Sequence, residues 1–233
     1  MQRFFDVLFS ALALLVLAPI LLPVMVLLRL TGEGEVFFPQ TRIGRGGEPF
    51  GLLKFATMLK DSPNMGTGTL TLANDPRVLP VGRVLRKLKI NELPQLLNIL
   101  KGDMSIIGPR PQTARCFNAF PEGSQQVLKT VRPGLSGIGS IAFRAETEML
   151  DDAENAEWFY DHVIMPYKGQ LEEWYVRNQS LRNYFLLIVL TAWVVVVPSS
   201  RILWRVFRDL PEPPVELKAR LMGGSADAGS SGA

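Results

Sequence analysis

Residues 7–28 form an unbroken run of 22 without a charged side chain. A straight α-helix of that length would reach about 33 Å, enough to cross a hydrocarbon layer of about 30 Å. A secretory leader fits less well, because the run is long and no small-x-small cleavage pattern follows it. Pro19 and Pro23 lie inside the run, and each removes a backbone donor at about 3 kcal/mol in a regular helix. The carbonyls they free are poorly tolerated against lipid. Residues 1–30 therefore read either as a crossing helix or as a re-entrant one that bends at Pro19 and returns to the same face.

A second uncharged stretch covers residues 184–198, only 15 long, short for a span and more typical of a buried or interfacial helix. Beyond it, Arg201, Arg205 and Arg208 recur at helical spacing, with Ile202, Leu203, Val206, Phe207 and Leu210 on the other side. Trp193 and Trp204 suit headgroup depth. The pattern fits a basic amphipathic helix on an anionic membrane surface, or a helix packed on a globular domain with a solvated Arg stripe. Residues 181–210 are assigned to interfacial helices. Residues 211–233 are assigned to a disordered tail, opened by Pro211-Glu212-Pro213-Pro214 and ending rich in Gly, Ser and Ala.

Between these segments, residues 31–180 form one domain. The single Cys116 excludes an intramolecular disulfide, and the single His162 excludes a His-based zinc site. The net charge of +3 is too mild to point to nucleic acid. Residues 77–110, however, hold seven Lys/Arg against Glu92 and Asp103, a local field that favours phosphates. The fold class is α/β, helix-rich with few short strands. Two strands are expected around Val36-Phe37-Phe38 and residues 50–55, joined by the turn Arg42-Ile43-Gly44-Arg45-Gly46-Gly47; such a turn is more often a hairpin than a phosphate loop. A mobile loop is expected over residues 62–71. Val84, Leu85 and Leu88 suggest a short apolar stripe.

Asn91 fits the N-cap of a following helix, with Glu92 in its first turn, Leu93, Leu96, Leu97 and Leu100 as its buried face, and Gly102 closing it. A helix start of that kind exposes unpaired amides and attracts phosphate. Arg86 precedes this seat, and Arg110 follows in Gly108-Pro109-Arg110-Pro111, where two prolines restrict the backbone around one guanidinium. Arginine there would clamp a phosphate with parallel hydrogen bonds.

These motifs, together with Lys54-Phe55-Ala56-Thr57-Met58, Lys101-Gly102-Asp103-Met104-Ser105 and Arg132-Pro133-Gly134-Leu135-Ser136-Gly137, resemble the bacterial sugar transferase family, the small monotopic phosphoglycosyl transferases. The resemblance implies transfer of a sugar phosphate from a UDP-sugar to polyprenyl phosphate with release of UMP, assisted by Mg²⁺. It also implies a re-entrant membrane helix broken at Pro19 and an active site on the cytoplasmic face of the bacterial inner membrane. Arg42 and Lys54 would hold the pyrophosphate, Arg132 would meet phosphate or uracil, and Arg144 would line the sugar pocket. Each of these is equally a candidate for a structural ion pair.

Two positions depart from the family pattern. Asn91-Glu92 stands where the family carries Asp-Glu, the Asp being its nucleophile and metal ligand and the Glu activating the lipid phosphate. An amide does neither job well, although it caps a helix as readily as Asp. Ala56 replaces an arginine. Three accounts of Asn91 stand: a natural subgroup in which Glu92 is nucleophile or base, an inactive form that serves as a lipid-carrier-binding or scaffold protein, or substitution by another carboxylate, Asp103 being nearest. The motifs name neither the sugar nor an oligomeric state.

Overall fold

The apolar run folds into one helix, α1, Gln2–Leu30, which continues through Pro19 and Pro23. Lacking N–H groups, these prolines leave the carbonyls of Leu15 and Pro19 without their helical donors. The protein is described here by a computed structural model covering residues 1–65, 75–151, 153–197 and 202–222. Most of the loop expected over residues 62–71, Arg201 and the tail 223–233 lie outside the described residues.

One side of α1 packs against the rest of the protein along most of its length. Phe5 and Phe9 meet the main core, and Leu14, Leu17, Leu21, Val24, Met25 and Leu28 meet two smaller clusters. The opposite side, including Leu12, Leu15, Val16, Leu22, Val26 and Leu30, is exposed. The first turn is held by polar contacts. Gln2 Nε2 donates to Ser105 Oγ at 2.9 Å, and the Arg3 guanidinium donates to the carbonyls of Ile99 and Leu100 at 2.6 and 3.0 Å. The buried Asp6 carboxylate accepts from Ser105 Oγ, Ile106 N and Tyr184 OH at 2.9–3.0 Å.

The two expected strands form a hairpin, β1 (Phe37–Ile43) against β2 (Pro49–Phe55), with Phe38 opposite Lys54 and Arg42 opposite Phe50. Its turn is a hairpin end. Gly46 and Gly47 adopt left-handed φ of 77° and 82°, and Gly46 N donates to Lys129 O at 2.8 Å. α2 (Pro80–Lys87) follows, its Leu85 packing with Phe55 at the end of β2. Gly82 lies so close to Thr57 that a Cβ would stand 2.2 Å from its carbonyl oxygen. Lys89, at φ 59°, reverses the chain into a single 3₁₀ turn, Ile90–Glu92, before α3 (Gln95–Lys101), which Gly102 closes at φ 103°.

β3 (Ser105–Ile107) pairs in parallel with β4 (Gly134–Ser136) after a crossover through α4 (Ala114–Asn118) and α5 (Glu122–Leu128). The remainder is helical: α6 (Ile138–Ala142), α7 (Glu146–Asp151), α8 (Ala156–Phe159), a π-turn at Tyr160–Ile164, α9 (Met165–Arg177), α10 (Leu181–Val196), α11 (Ile202–Val206) and α12 (Val215–Met222). The expected helix-rich α/β class with short strands is what the chain adopts.

Several expectations need correction. Of the stripe expected at Val84, Leu85 and Leu88 only Leu85 is buried; Val84 and Leu88 are exposed. On α3 the buried face is Gln95, Leu96, Asn98 and Ile99, with Leu97 exposed. The polar members belong there because Asn98 accepts from Leu53 N and donates to Gly51 O, clasping β2. Residues 202–210 do not make one surface helix: α11 is short, and Leu203, Phe207 and Leu210 enter the main core, so the packed alternative holds for this part. Residues 211–222 are not tail. Tyr167 OH donates to Pro211 O at 2.8 Å, and α12 buries Leu217 and Leu221, one turn apart.

Candidate active site

Alternation along the hairpin puts Arg42, Lys54 and Phe38 on one face. Arg42 reaches the carbonyl of Pro111 at 3.3 Å and Gln40 Oε1 at 2.7 Å, while its buried Nε has no partner. Burial, with Arg110 adding to it, lowers its pKa to about 10.

Opposite stands the Gly-Pro-Arg-Pro segment, held at nearly every peptide. Gly108 N donates to Ser136 O, Tyr175 OH donates to Ile107 O, Arg110 N donates to Glu172 Oε1 at 3.4 Å, and Ile43 N donates to Gln112 O. The Arg110 Nη2 then donates to Glu92 Oε1 at 2.9 Å. Burial alone would push the Glu92 carboxyl up, but Arg110, Lys54 and Lys89 outweigh it and hold it at about 2. Burial pulls Lys54 down to about 7, against the attraction of Glu92 and with repulsion from Arg42, Arg110 and Arg86. Arg86 is likewise lowered by burial and drawn back by Glu92. Four separate elements thus bring Arg42, Lys54, Arg86 and Arg110 around one ionised carboxylate.

The helix-cap expectation at Asn91 is not met. α3 starts at Gln95 with Pro94 at its cap and no capping side chain. The amides expected to be free are paired in 3₁₀ fashion: Glu92 to Lys89 O, Leu93 to Ile90 O, Leu96 to Leu93 O and Leu97 to Pro94 O. Side-chain cations, not helix amides, make this site attractive to phosphate. Asn91 is buried beside them, and its Oδ1 has no hydrogen-bond partner.

Other candidates fall elsewhere. Arg132 Nε donates to Gly102 O at 2.8 Å, at the opposite end of α3 from Asn91, and Arg144 reaches Val195 O on α10 at 3.4 Å. Asp103 also lies past the C-terminus of α3, accepting from Asn98 Nδ2 at 3.1 Å, so it does not stand in for Asn91. Among the described residues, no group of three or more His, Cys, Asp or Glu side chains could hold a metal ion.

Sequence reasoning missed Glu172 and Tyr160. Glu172 is fully enclosed between Arg110 N and Gly139, its Oε2 unpaired, and burial pushes its carboxyl up to about 7 against the pull of Lys168 and the backbone donors. Tyr160 sits buried in the π-turn, its pKa raised by burial and by Glu146. Such π-turns recur at functional sites, but nothing in the local sequence announces one.

A family model for bacterial sugar transferases matches residues 1–198. The chain belongs to the bacterial sugar transferase family. As a sugar transferase it is an enzyme by descent. It is 40% identical over 157 residues to the exopolysaccharide production protein ExoY of Rhizobium meliloti, covering 61% of this chain and 69% of that one. It is 34% identical over 200 residues to EpsL of Bacillus subtilis, an uncharacterised sugar transferase, covering 86% and 89%. It is also 37% identical over 161 residues to the UDP-glucose:undecaprenyl-phosphate glucose-1-phosphate transferase of Escherichia coli, covering 66% of this chain and 34% of that one. The sugar transferase match takes in α1, the cationic cluster and the Gly-Pro-Arg-Pro segment.

Proposed function

We propose that this sugar transferase moves a sugar-1-phosphate from a UDP-sugar to undecaprenyl phosphate, releasing UMP, as the first membrane step of surface polysaccharide synthesis. The observation that carries the reading is the ionised Glu92 inside a ring of four buried or half-buried cations, beside a helix with a long exposed apolar face. The cations suit a diphosphate and the developing charge on phosphorus. Glu92, not Asn91, is the nucleophile in this proposal. With its carboxyl near pKa 2 it is a poor acceptor of protons but is charged at every physiological pH. Its oxygen attacks the sugar-bearing β-phosphorus, and the bond to UMP breaks. The lipid phosphate oxygen then attacks the same phosphorus and frees the carboxylate.

Mg²⁺ belongs to this proposal. Glu92 and the unpaired Asn91 Oδ1 are the two protein oxygens that would hold it, phosphates and water supplying the rest, as this ion prefers. When bound, it would neutralise charge on the diphosphate.

The proposed topology is monotopic and re-entrant, bending at Pro19, with the domain on the cytoplasmic face of the inner membrane. Support comes from packing. The contacts of this helix of about 44 Å with one domain run from Gln2 to Leu28, which favours a helix lying along that domain over one standing across a bilayer. Lying shallowly, it offers its exposed side to lipid.

Asn91 favours a second reading, an impaired family member that binds the lipid carrier without turnover. Purified protein with a UDP-sugar panel, undecaprenyl phosphate and Mg²⁺ separates the two. The proposal expects UMP release that Glu92→Gln abolishes. Release only from Asn91→Asp would establish the impaired member instead.

A further inference from the structure

A cavity of about 260 Å³ opens between the C-terminal end of α1 and the hairpin. Its lining is largely apolar: Phe37, Phe38, Pro39, Ala56, Met58 and Leu79, with Glu33, Glu35 and Lys60 at the rim. Phe38 is the cross-strand neighbour of Lys54, and Ala56, whose N–H continues the ladder to Val36 O, follows Lys54 on the same face. Lys54, the nearest member of the cationic cluster, therefore stands next to the cavity's lining. Thr31, directly after α1, also lines the cavity, and the last turns of α1 expose Val26, Leu27 and Leu30.

We propose that this cavity seats the first isoprene units of the lipid acceptor, with the lipid phosphate directed to Lys54. The proposal rests on the transferase reading above. Two features favour an isoprenoid over the nucleoside of the donor. The side chains of the floor offer no hydrogen bonds, so a uracil edge would be buried unpaired, at a cost that a hydrocarbon does not incur. The rim carboxylates Glu33 and Glu35 repel phosphate, and the rim cation Lys60 is already paired with Glu35 at 3.2 Å, which favours the neighbouring Lys54 for the charged end of a ligand. Ala56 has a specific part in this. An arginine in its place, as the family resemblance implies, would put a guanidinium into the floor, whereas a methyl group keeps it apolar.

The test has two arms. Ala56→Leu narrows the floor and is expected to raise KM for undecaprenyl phosphate about tenfold while KM for the UDP-sugar stays within about twofold. A rise confined to the UDP-sugar would put the nucleoside in the cavity and overturn the proposal, as would no change in either constant. The second arm uses unaltered protein in detergent and a polyprenyl phosphate with a diazirine in its first isoprene unit. Peptide mapping is expected to find the label on Phe37, Phe38 or Met58, displaced by unlabelled polyprenyl phosphate but not by phosphatidylglycerol. Label elsewhere, or displacement by the phospholipid, overturns the proposal even where Ala56→Leu fails to fold. Because labelling requires binding and not turnover, a labelled cavity without UMP release would fault the transferase reading alone.

Discussion

Arg110 donates to Glu92 Oε1 at 2.9 Å, so a guanidinium fixed between Pro109 and Pro111 holds the carboxylate that five cations act upon. The pairing is mutual: Glu92 raises the pKa of Arg110 as Arg110 lowers that of Glu92. Each partner is only partly shielded, with 34% and 18% of the side chains exposed, so the pair can open to admit a phosphate. In the proposed reaction a diphosphate would compete with Glu92 for Arg110.

Glu92→Gln is expected to abolish measurable UMP release, a loss of at least about 10³-fold, since it removes the proposed nucleophile and the charge around which the cations gather. It also changes stability in a pH-dependent way. The folded carboxyl titrates near 2 against an ordinary 4.5, so its contribution is complete above about pH 4.5 and disappears as pH falls towards 2. Thermal melts of wild type and variant should differ at pH 7 and draw together below pH 4. A constant gap would show that Glu92 is not the depressed group.

Lys54→Met should trade function for stability. Lys54 is held near pKa 7, well below its ordinary 10.5, by burial and by Arg42, Arg110 and Arg86. Between about pH 7 and 10.5 the unfolded chain binds the proton and the folded one does not, so this group makes stability rise with pH across that window. Below pH 7 the folded protein bears the full penalty of the charge. The methionine variant should melt higher than wild type at pH 7, with the difference shrinking towards pH 10. Its UMP release should fall at least about 100-fold.

Asp6→Ala should loosen α1 from the domain. It would strand the buried donors of Ser105, Ile106 and Tyr184, each at about 1–3 kcal/mol, for a total loss of several kcal/mol. Proteolysis in detergent, read as cleavage after Arg29, should accelerate. Asp6→Asn, which keeps an acceptor, should show a smaller effect.

Legibility followed the strength of each local pattern. The hairpin was visible because two short aromatic-containing runs flank a glycine-rich turn, and the first strand proved longer than expected. At Asn91-Glu92-Leu93-Pro94 the same residues suit a helix cap and a 3₁₀ turn. What decides is Lys89 at φ 59°, a conformation no side chain but glycine signals. The functional charges were legible as a cluster, yet not which would meet. Arg110 and Arg132 both sit beside prolines, and only their strands' placement separates the one at Glu92 from the one at Gly102. Glu172 and Glu173 look alike in sequence; α9 buries the first behind Arg110 and turns the second to Ser124.

The C-terminal segment shows the same limit from the other side. Two leucines after a run of prolines gave too little periodicity to outweigh a polar tail, yet Leu217 is fully buried and packs with the core. Leu217→Ala should therefore cost about 2–5 kcal/mol, as for a fully enclosed leucine, while Val215→Ala, at an exposed site on the same helix, should change stability by about 0.5 kcal/mol or less. Chemical denaturation in detergent would compare them. Because α12 packs beside the π-turn that holds Tyr160, Leu217→Ala is also expected to lower UMP release without altering the pH at which Glu92 titrates. Equal stability of the two variants would mean that α12 does not seal this core.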